Sequence, residues 1–141
     1  MKTRFVIFFI VFLSTSCKTY TIAPESLREQ FIQSGNTQKN VRINDALFYG
    51  SIEYKSNGIV NLEVIDKHGN KKIIQNAPSL EMRVTHKNGK KYHFYFDTVI
   101  LENDSLKGGR SRYIHTNTKI PLDSILKIEI QDGGKNFHYK E

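Results

Sequence analysis

The sequence predicts a mainly β fold: one short N-terminal helix, then antiparallel hairpins that form a small barrel or a two-layer sandwich. Three observations point there. From Val41 onward apolar and polar residues alternate, the period of a strand with one wet face. Asn-Gly and Asp-Gly steps recur at Asn57-Gly58, Asn88-Gly89 and Asp132-Gly133, a strong short-range hairpin signal. A helical period follows the leader once only, ahead of the strands. Many short strands of this kind cannot stay in one open sheet, because its apolar face would remain in water.

The chain starts MKTRFVIFFIVFLSTSC. Lys2 and Arg4 form a positive leader, Phe5–Leu13 is an unbroken apolar run, and Ser14, Thr15 and Ser16 are small. The apolar run fits the core of an export signal and is well short of the ~18 residues that suggest a membrane-spanning helix. Ser14 and Ser16 satisfy the small-x-small pattern of ordinary cleavage, which would leave a free thiol. A run of small residues ending at the only cysteine, Cys17, also resembles a bacterial lipoprotein signal, in the relaxed form of Bacteroidota-type lipoproteins, with Leu13 one place further from the cysteine than usual. That resemblance implies cleavage before Cys17, acylation of its sulfur and new amino group, and attachment to a lipid bilayer. It divides the chain into a signal peptide (1–16), a lipidated tether (17–23) and one β-rich domain (24–141). One acyl chain holds a protein reversibly, whereas several together hold it for good.

The whole chain carries a formal charge of +7. Setting aside Lys2 and Arg4 leaves 19 basic against 14 acidic residues, a +5 body that favours acidic partners such as phosphate-bearing head groups or an anionic polymer. The lysines are scattered, as on an ordinary solvated surface. With one cysteine no intrachain disulfide is possible, so packing and sheet hydrogen bonds must supply the stability. The sequence shows no internal repeat.

The elements follow in order. Lys18–Ala23 reads as a tether. Residues 24–34 begin a helix with Pro24 at its first position and Glu25 at the positive end of the dipole, and place Leu27, Phe31 and Ile32 on one face. Ser34-Gly35-Asn36 ends it, and Gly35–Asn40 reads as a polar loop before strands over 41–141. A three-residue loop at Lys87-Asn88-Gly89 pairs His86 with Lys90. It sets Leu80, Met82 and Val84 opposite Phe96, Phe94 and Tyr92, giving one consistent core face. The same loop length at Ser56-Asn57-Gly58 sets Tyr54 opposite Val60 and Ile52 opposite Leu62. At Lys67–Asn70 the register stays open, and that strand pair reads as buried on both faces. Phe94–Leu101 reads as one long strand, turning at Asn103-Asp104. Leu106 and Tyr113-Ile114 suggest a strand bent at Gly108-Gly109. Ile120–Ile125 contains a short 3₁₀ turn, Leu126, Ile128 and Ile130 line a strand, and Asp132–Lys135 closes a last hairpin onto Phe137 and Tyr139.

Reactive constellations are scarce. His68, His86, His93, His115 and His138 show no zinc-like spacing, so no metal and no cofactor is expected. Gly-x-Ser-x-Gly is missing, and Gly133–Lys135 reads as a turn, not a phosphate loop. A glycan hydrolase would need two facing carboxylates, with Asp97 and Glu102 as candidates and Asp104 and Asp123 better read as turn residues. Tyr92–Phe96 resembles strands that stack single-stranded nucleic acid, yet its aromatic face pairs with Leu80, Met82 and Val84, and no nucleic-acid partner is expected. Asp97-Thr98-Val99, Asp104-Ser105-Leu106 and Asp123-Ser124-Ile125 resemble Asp-Ser/Thr-apolar O-glycosylation sites of Bacteroidota envelope proteins. They nominate Thr98, Ser105 and Ser124, the two serines as exposed turn residues.

The stretches Phe96-Asp97, Asn103–Leu106, Ile120–Leu122, Ile128–Gly133 and Asn136–Tyr139 are similar to those of small Bacteroidota-type lipoproteins that join a lipoprotein signal to an all-β domain. The resemblance implies a cell-envelope location and an all-β domain, and brings no activity with it; with no acidic run after Cys17, the outer membrane's periplasmic face is the default. The expectation is a non-catalytic module, lipidated at Cys17, that binds an envelope protein or anionic polymer. A barrel carrying a small apolar ligand and an envelope glycan hydrolase are the alternatives.

Overall fold

The computed structural model describes residues 17–44, 50–113 and 117–141. The proposed signal (1–16), Ile114 and His115 lie outside them. The described chain is mainly β, with one α-helix and antiparallel sheets. No helix among the described residues is long and apolar enough to cross a membrane.

The N-terminal tether is corrected first. Thr19–Ile22 is a strand, β1, seated between β11 (Ile125–Asp132) and β4 (Asn61–Ile65), with Thr19 opposite Gln131 and Thr21 opposite Ile65. Helix α1 (Pro24–Gln33) follows with proline at its start. Gly35 and Asn36 take positive φ, and the Asn36 N–H reaches back to the Phe31 carbonyl at 2.8 Å, closing the helix end. Leu27 and Phe31 are buried as expected, whereas Ile32 is exposed. The Gln30 amide both donates to and accepts from the Glu63 backbone, at 3.0 and 2.8 Å. It thereby pairs β4 at the place where β1 has already turned into the helix.

The largest sheet runs β5 (Lys71–Gln75), β4, β1, β11, β6 (Leu80–His86), β7 (Lys91–Tyr95), every pair antiparallel. Its register places Ile22 opposite Ile128, Ile128 opposite Val84, Ile130 opposite Met82 and Met82 opposite Phe94. One face is therefore apolar. It joins Leu27 and Phe31 of α1, and Val99, Leu106 and Ile120 beyond, in a single buried cluster. Close-packed contact of this kind is the main stabilising term.

The β6–β7 hairpin has the predicted register, with His86 donating to the Lys90 carbonyl at 2.8 Å and Gly89 at φ +86°. Other expectations change. Lys67–Gly69 forms an odd loop that sets Val64 against Lys72, so β5 is an edge with Ile73 exposed, not a strand buried on both faces. Here Asp66 accepts from the His68 and Asn70 N–H groups, and the Asn70 bond leads in holding its carboxyl below the usual range. Residues 56–58 do not make a hairpin. The strand β3 (Ser51–Asn57) pairs with β2 (Gln38–Asn44) in a second sheet, and the polar loop after α1 is shorter than expected.

The long strand from Phe94 breaks at a 3₁₀ turn, Phe96–Thr98, before β8 (Ile100–Glu102). That strand, β9 (Ser105–Gly109) and β10 (Asn117–Pro121) form a third sheet, with Asn103 and Asp104 at positive φ in the connecting turn. Gly108 is no bend. A Cβ there would stand 2.9 Å from the Phe94 ring and 3.0 Å from Val99, so glycine permits the close approach of β9 to these two side chains. The 3₁₀ turn Leu122–Ser124 is as predicted. A bulge between Ile125 and Lys127 leaves Leu126 exposed. The last hairpin is also corrected: β12 (Tyr139–Lys140) leaves β11 and pairs with β2, Tyr139 opposite Ile43.

Candidate functional site

Phe96 and Asp97 follow directly on an aromatic strand, and the 3₁₀ turn there points both inward. Asp97 is fully buried against Arg112, whose side chain is 1 % exposed, with Nη2 donating to Asp97 Oδ1 at 2.9 Å. The same Nη2 donates to the Pro78 carbonyl. The Tyr54 hydroxyl donates to Asp97 Oδ2, and the Tyr139 hydroxyl donates to it at 3.1 Å. One carboxylate therefore gathers β3, β12 and the segment after β9 around the end of β7.

Aromatic rings complete the surroundings. The Arg112 Cζ lies 3.8 Å from the centroid of Tyr95 and 5.1 Å from those of Tyr54 and Phe137. Each face-on contact contributes about 0.5–2 kcal/mol. Burial, and then the negative Asp97, push the Tyr54 hydroxyl far above the ordinary tyrosine range. The same two causes, in the same order, raise Tyr139. Both phenols stay protonated at any physiological pH and serve as donors. Lys135, bonded to Glu81 and to the Tyr95 hydroxyl, is raised as well, chiefly by Glu81.

Arg112 is only half satisfied. Its Nε and Nη1 are buried and meet no hydrogen-bond acceptor among the described residues. A guanidinium has N–H donors on all three nitrogens, and leaving a buried donor unmet costs about 1–3 kcal/mol. Arg112 also lines a groove of about 1070 Å³ between the β2–β3–β12 sheet and the β8–β9–β10 sheet. Lys39, Lys55, Lys107 and Lys140 line it too, as does Arg42, which is paired with Glu53.

The residues singled out from sequence scatter. Asp97 sits in this cluster, but Glu102 lies on β8, where Lys119 first and then Lys107 hold its carboxyl below the usual range. Asp104 and Asp123 line a second, smaller groove of about 440 Å³ beside the start of α1, and Arg28 holds Asp104 at 3.0 Å. Thr98 is half-buried, donating to the Tyr95 carbonyl and accepting from the Gly109 N–H. Ser105 is buried, not exposed as expected; Ser124 is half-buried and donates to the Pro121 carbonyl. Among the described residues no group of His, Cys, Asp and Glu has the arrangement of a metal site. Cys17 is exposed, with Lys18 alone between it and β1.

Sequence reasoning did not pick out Arg112, Tyr54 or Tyr139. One signal was available: Asp97 is the single carboxylate in the mainly apolar stretch from Tyr92 to Leu101, and a carboxylate so placed calls for a buried cation. No known family model, curated protein or solved structure matches the chain.

Proposed function

We propose that this chain is a lipid-anchored envelope protein, acylated at Cys17, whose two-layered β body is a non-catalytic binding module. The observation that carries this reading is the groove of about 1070 Å³ lined by Lys39, Lys55, Lys107 and Lys140. Its volume lies at the upper limit of ordinary ligand sites, about 300–1,000 Å³. The location, the outer membrane's periplasmic face, rests on the leader and Cys17 alone. With β1 beginning at Thr19, the acylated residue would sit directly against the sheet, and the body would have little freedom to swing away from the bilayer.

Two alternatives have less behind them. An apolar-ligand carrier needs an apolar hollow, yet the large interior side chains Phe31, Met82 and Phe96 fill the core, and the residues lining the groove are mostly polar or charged. For a hydrolase, Asp97 is engaged with Arg112, Tyr54 and Tyr139, and Glu102 with two lysines, which favours structural roles for both.

Two measurements test the proposal. Intact mass of the mature protein should show a chain beginning at an acylated Cys17, and Cys17→Ser should move it to the soluble fraction; a free thiol on an unacylated mature chain overturns the anchor. A photo-crosslinker at Lys55 in the native envelope should give a specific adduct, while the same probe at Lys72 on β5 should not. Absence of any adduct from the groove overturns the binding module.

A further inference from the structure

The next step rests on the binding-module reading and deepens it. We propose that the groove takes an acidic glycan, with one carboxylate or phosphate group of the ligand seated against Arg112.

Arg112 is held in place before any ligand arrives. Asp97 and the Pro78 carbonyl fix Nη2, and the Tyr95 ring lies under the guanidinium at 3.8 Å. The nitrogens left over, Nε and Nη1, are the ones that lack acceptors among the described residues. Buried donors in folded proteins are nearly always met, and a guanidinium matches the oxygens of a carboxylate or phosphate. An oxyanion entering from the groove supplies what the described residues do not.

The groove favours such a group at longer range. Arg42 is neutralised by Glu53, Arg112 by Asp97 and Lys107 by Glu102, and Glu141 adds a carboxylate to the lining, but Lys39, Lys55 and Lys140 have no ion-pair partner among the described residues, so the wall stays net positive. Lysines along a concave wall raise the local concentration of anions. Between them stand Gln38, Asn40 and Asn117, whose amides both donate to and accept from sugar hydroxyls. Val41 and Ile100 are the large aliphatic lining residues, too few to receive an acyl chain, which argues for a glycan over a lipid surface. Phe137 covers the guanidinium from the irregular stretch 133–138, which Asn44 ties down at Asn136 and His138. The Phe137 ring, rather than the backbone that carries it, is what must turn aside when the anion enters.

The test is a titration of the full mature protein in detergent micelles, following the Arg112 Nε–H resonance. The probes are an oligogalacturonate, a phosphorylated mannan oligosaccharide, a neutral oligosaccharide of equal length, inorganic phosphate, and phosphatidylglycerol vesicles. At least one acidic oligosaccharide should shift the resonance and bind at least about tenfold more tightly than the neutral one, and added salt should weaken it. Which acidic probe binds more tightly separates carboxylate from phosphate. The exposed-wall variant Lys55→Glu should weaken binding about tenfold with an unchanged melting temperature. Arg112→Gln should abolish it, and if that variant does not fold, the Nε–H shift and Lys55→Glu decide alone. Equal binding of acidic and neutral sugars, no binding of either acid, a response to vesicles only, or a response to phosphate as an adventitious ion only overturns the proposal. If it fails while the Lys55 adduct persists in the envelope, the binding module stands with a different ligand; if the adduct is missing too, both fall.

Discussion

In the six-stranded sheet, Met82, Val84, Ile128 and Ile130 are shielded from water by one another and by α1. Beneath β2–β3–β12, Tyr54 and Tyr139 meet a carboxylate and a guanidinium instead. The two regions solve the same problem with opposite tolerances. An apolar layer is non-directional and relaxes in part around a lost methyl. A buried ion pair with hydroxyl donors works only when every member is present, because the low-dielectric setting that strengthens each bond also penalises each vacancy. The first region is suited to holding the fold; the second is the one that the proposed ligand would read.

The sharpest way to break that contrast is to remove one ion of the pair. Arg112→Leu should cost about 3–5 kcal/mol in urea unfolding, because Asp97 stays buried without its cation. The double variant Asp97→Asn with Arg112→Leu should lose clearly less than the sum of the singles. Additive losses would show that the pair does not act as a unit. Next in size, Gly108→Ala should cost about 1–3 kcal/mol, since its Cβ meets Phe94 and Val99, which are packed on all sides. Gly50→Ala is the control: among the described residues nothing lies within 4 Å of a Cβ there, and the melting temperature should hardly move.

The tyrosines set a third test, with a definite sign. Their folded pKa values lie above the unfolded value, so their contribution is fully present below about pH 10 and is lost as the pH climbs beyond it. The slope should approach about 1.4 kcal/mol per pH unit for each phenol between roughly pH 10 and 12. Tyr54→Phe should remove its share of that slope, and an unchanged slope would contradict the assignment. Smallest of all, Arg42→Gln breaks an exposed pair with Glu53 and should change stability by less than about 1 kcal/mol.

The same contrast explains what could be read from the residues in order. The β6–β7 register was legible because Leu80, Met82 and Val84 alternate on one side of Asn88-Gly89 and Tyr92 and Phe94 on the other, all within a short span. Helix α1 and the 3₁₀ turn at Leu122–Ser124 were equally local. Asn57-Gly58 misled because the Asn57 side chain, rather than closing a hairpin, donates to the Phe96 and Val99 carbonyls on a distant segment. Thr19–Ile22 is too short to display a period, and its partners are far along the chain. The arginine cluster was least legible. Tyr54, Pro78, Tyr95, Asp97, Arg112 and Tyr139 meet only once three sheets have formed, and Arg112 lies in a polar stretch that reads as surface.

The place of β1 carries a consequence for how the molecule is made. Thr19, near the start of the described chain, lies opposite Gln131, near its end, and β4 closes on β1 from the other side. Until β11 has been made, the leading segment has only β4 to pair with, so the sheet cannot be finished from the front as the polypeptide emerges. A product truncated before Ile125 would leave one edge of its own first strand without a partner.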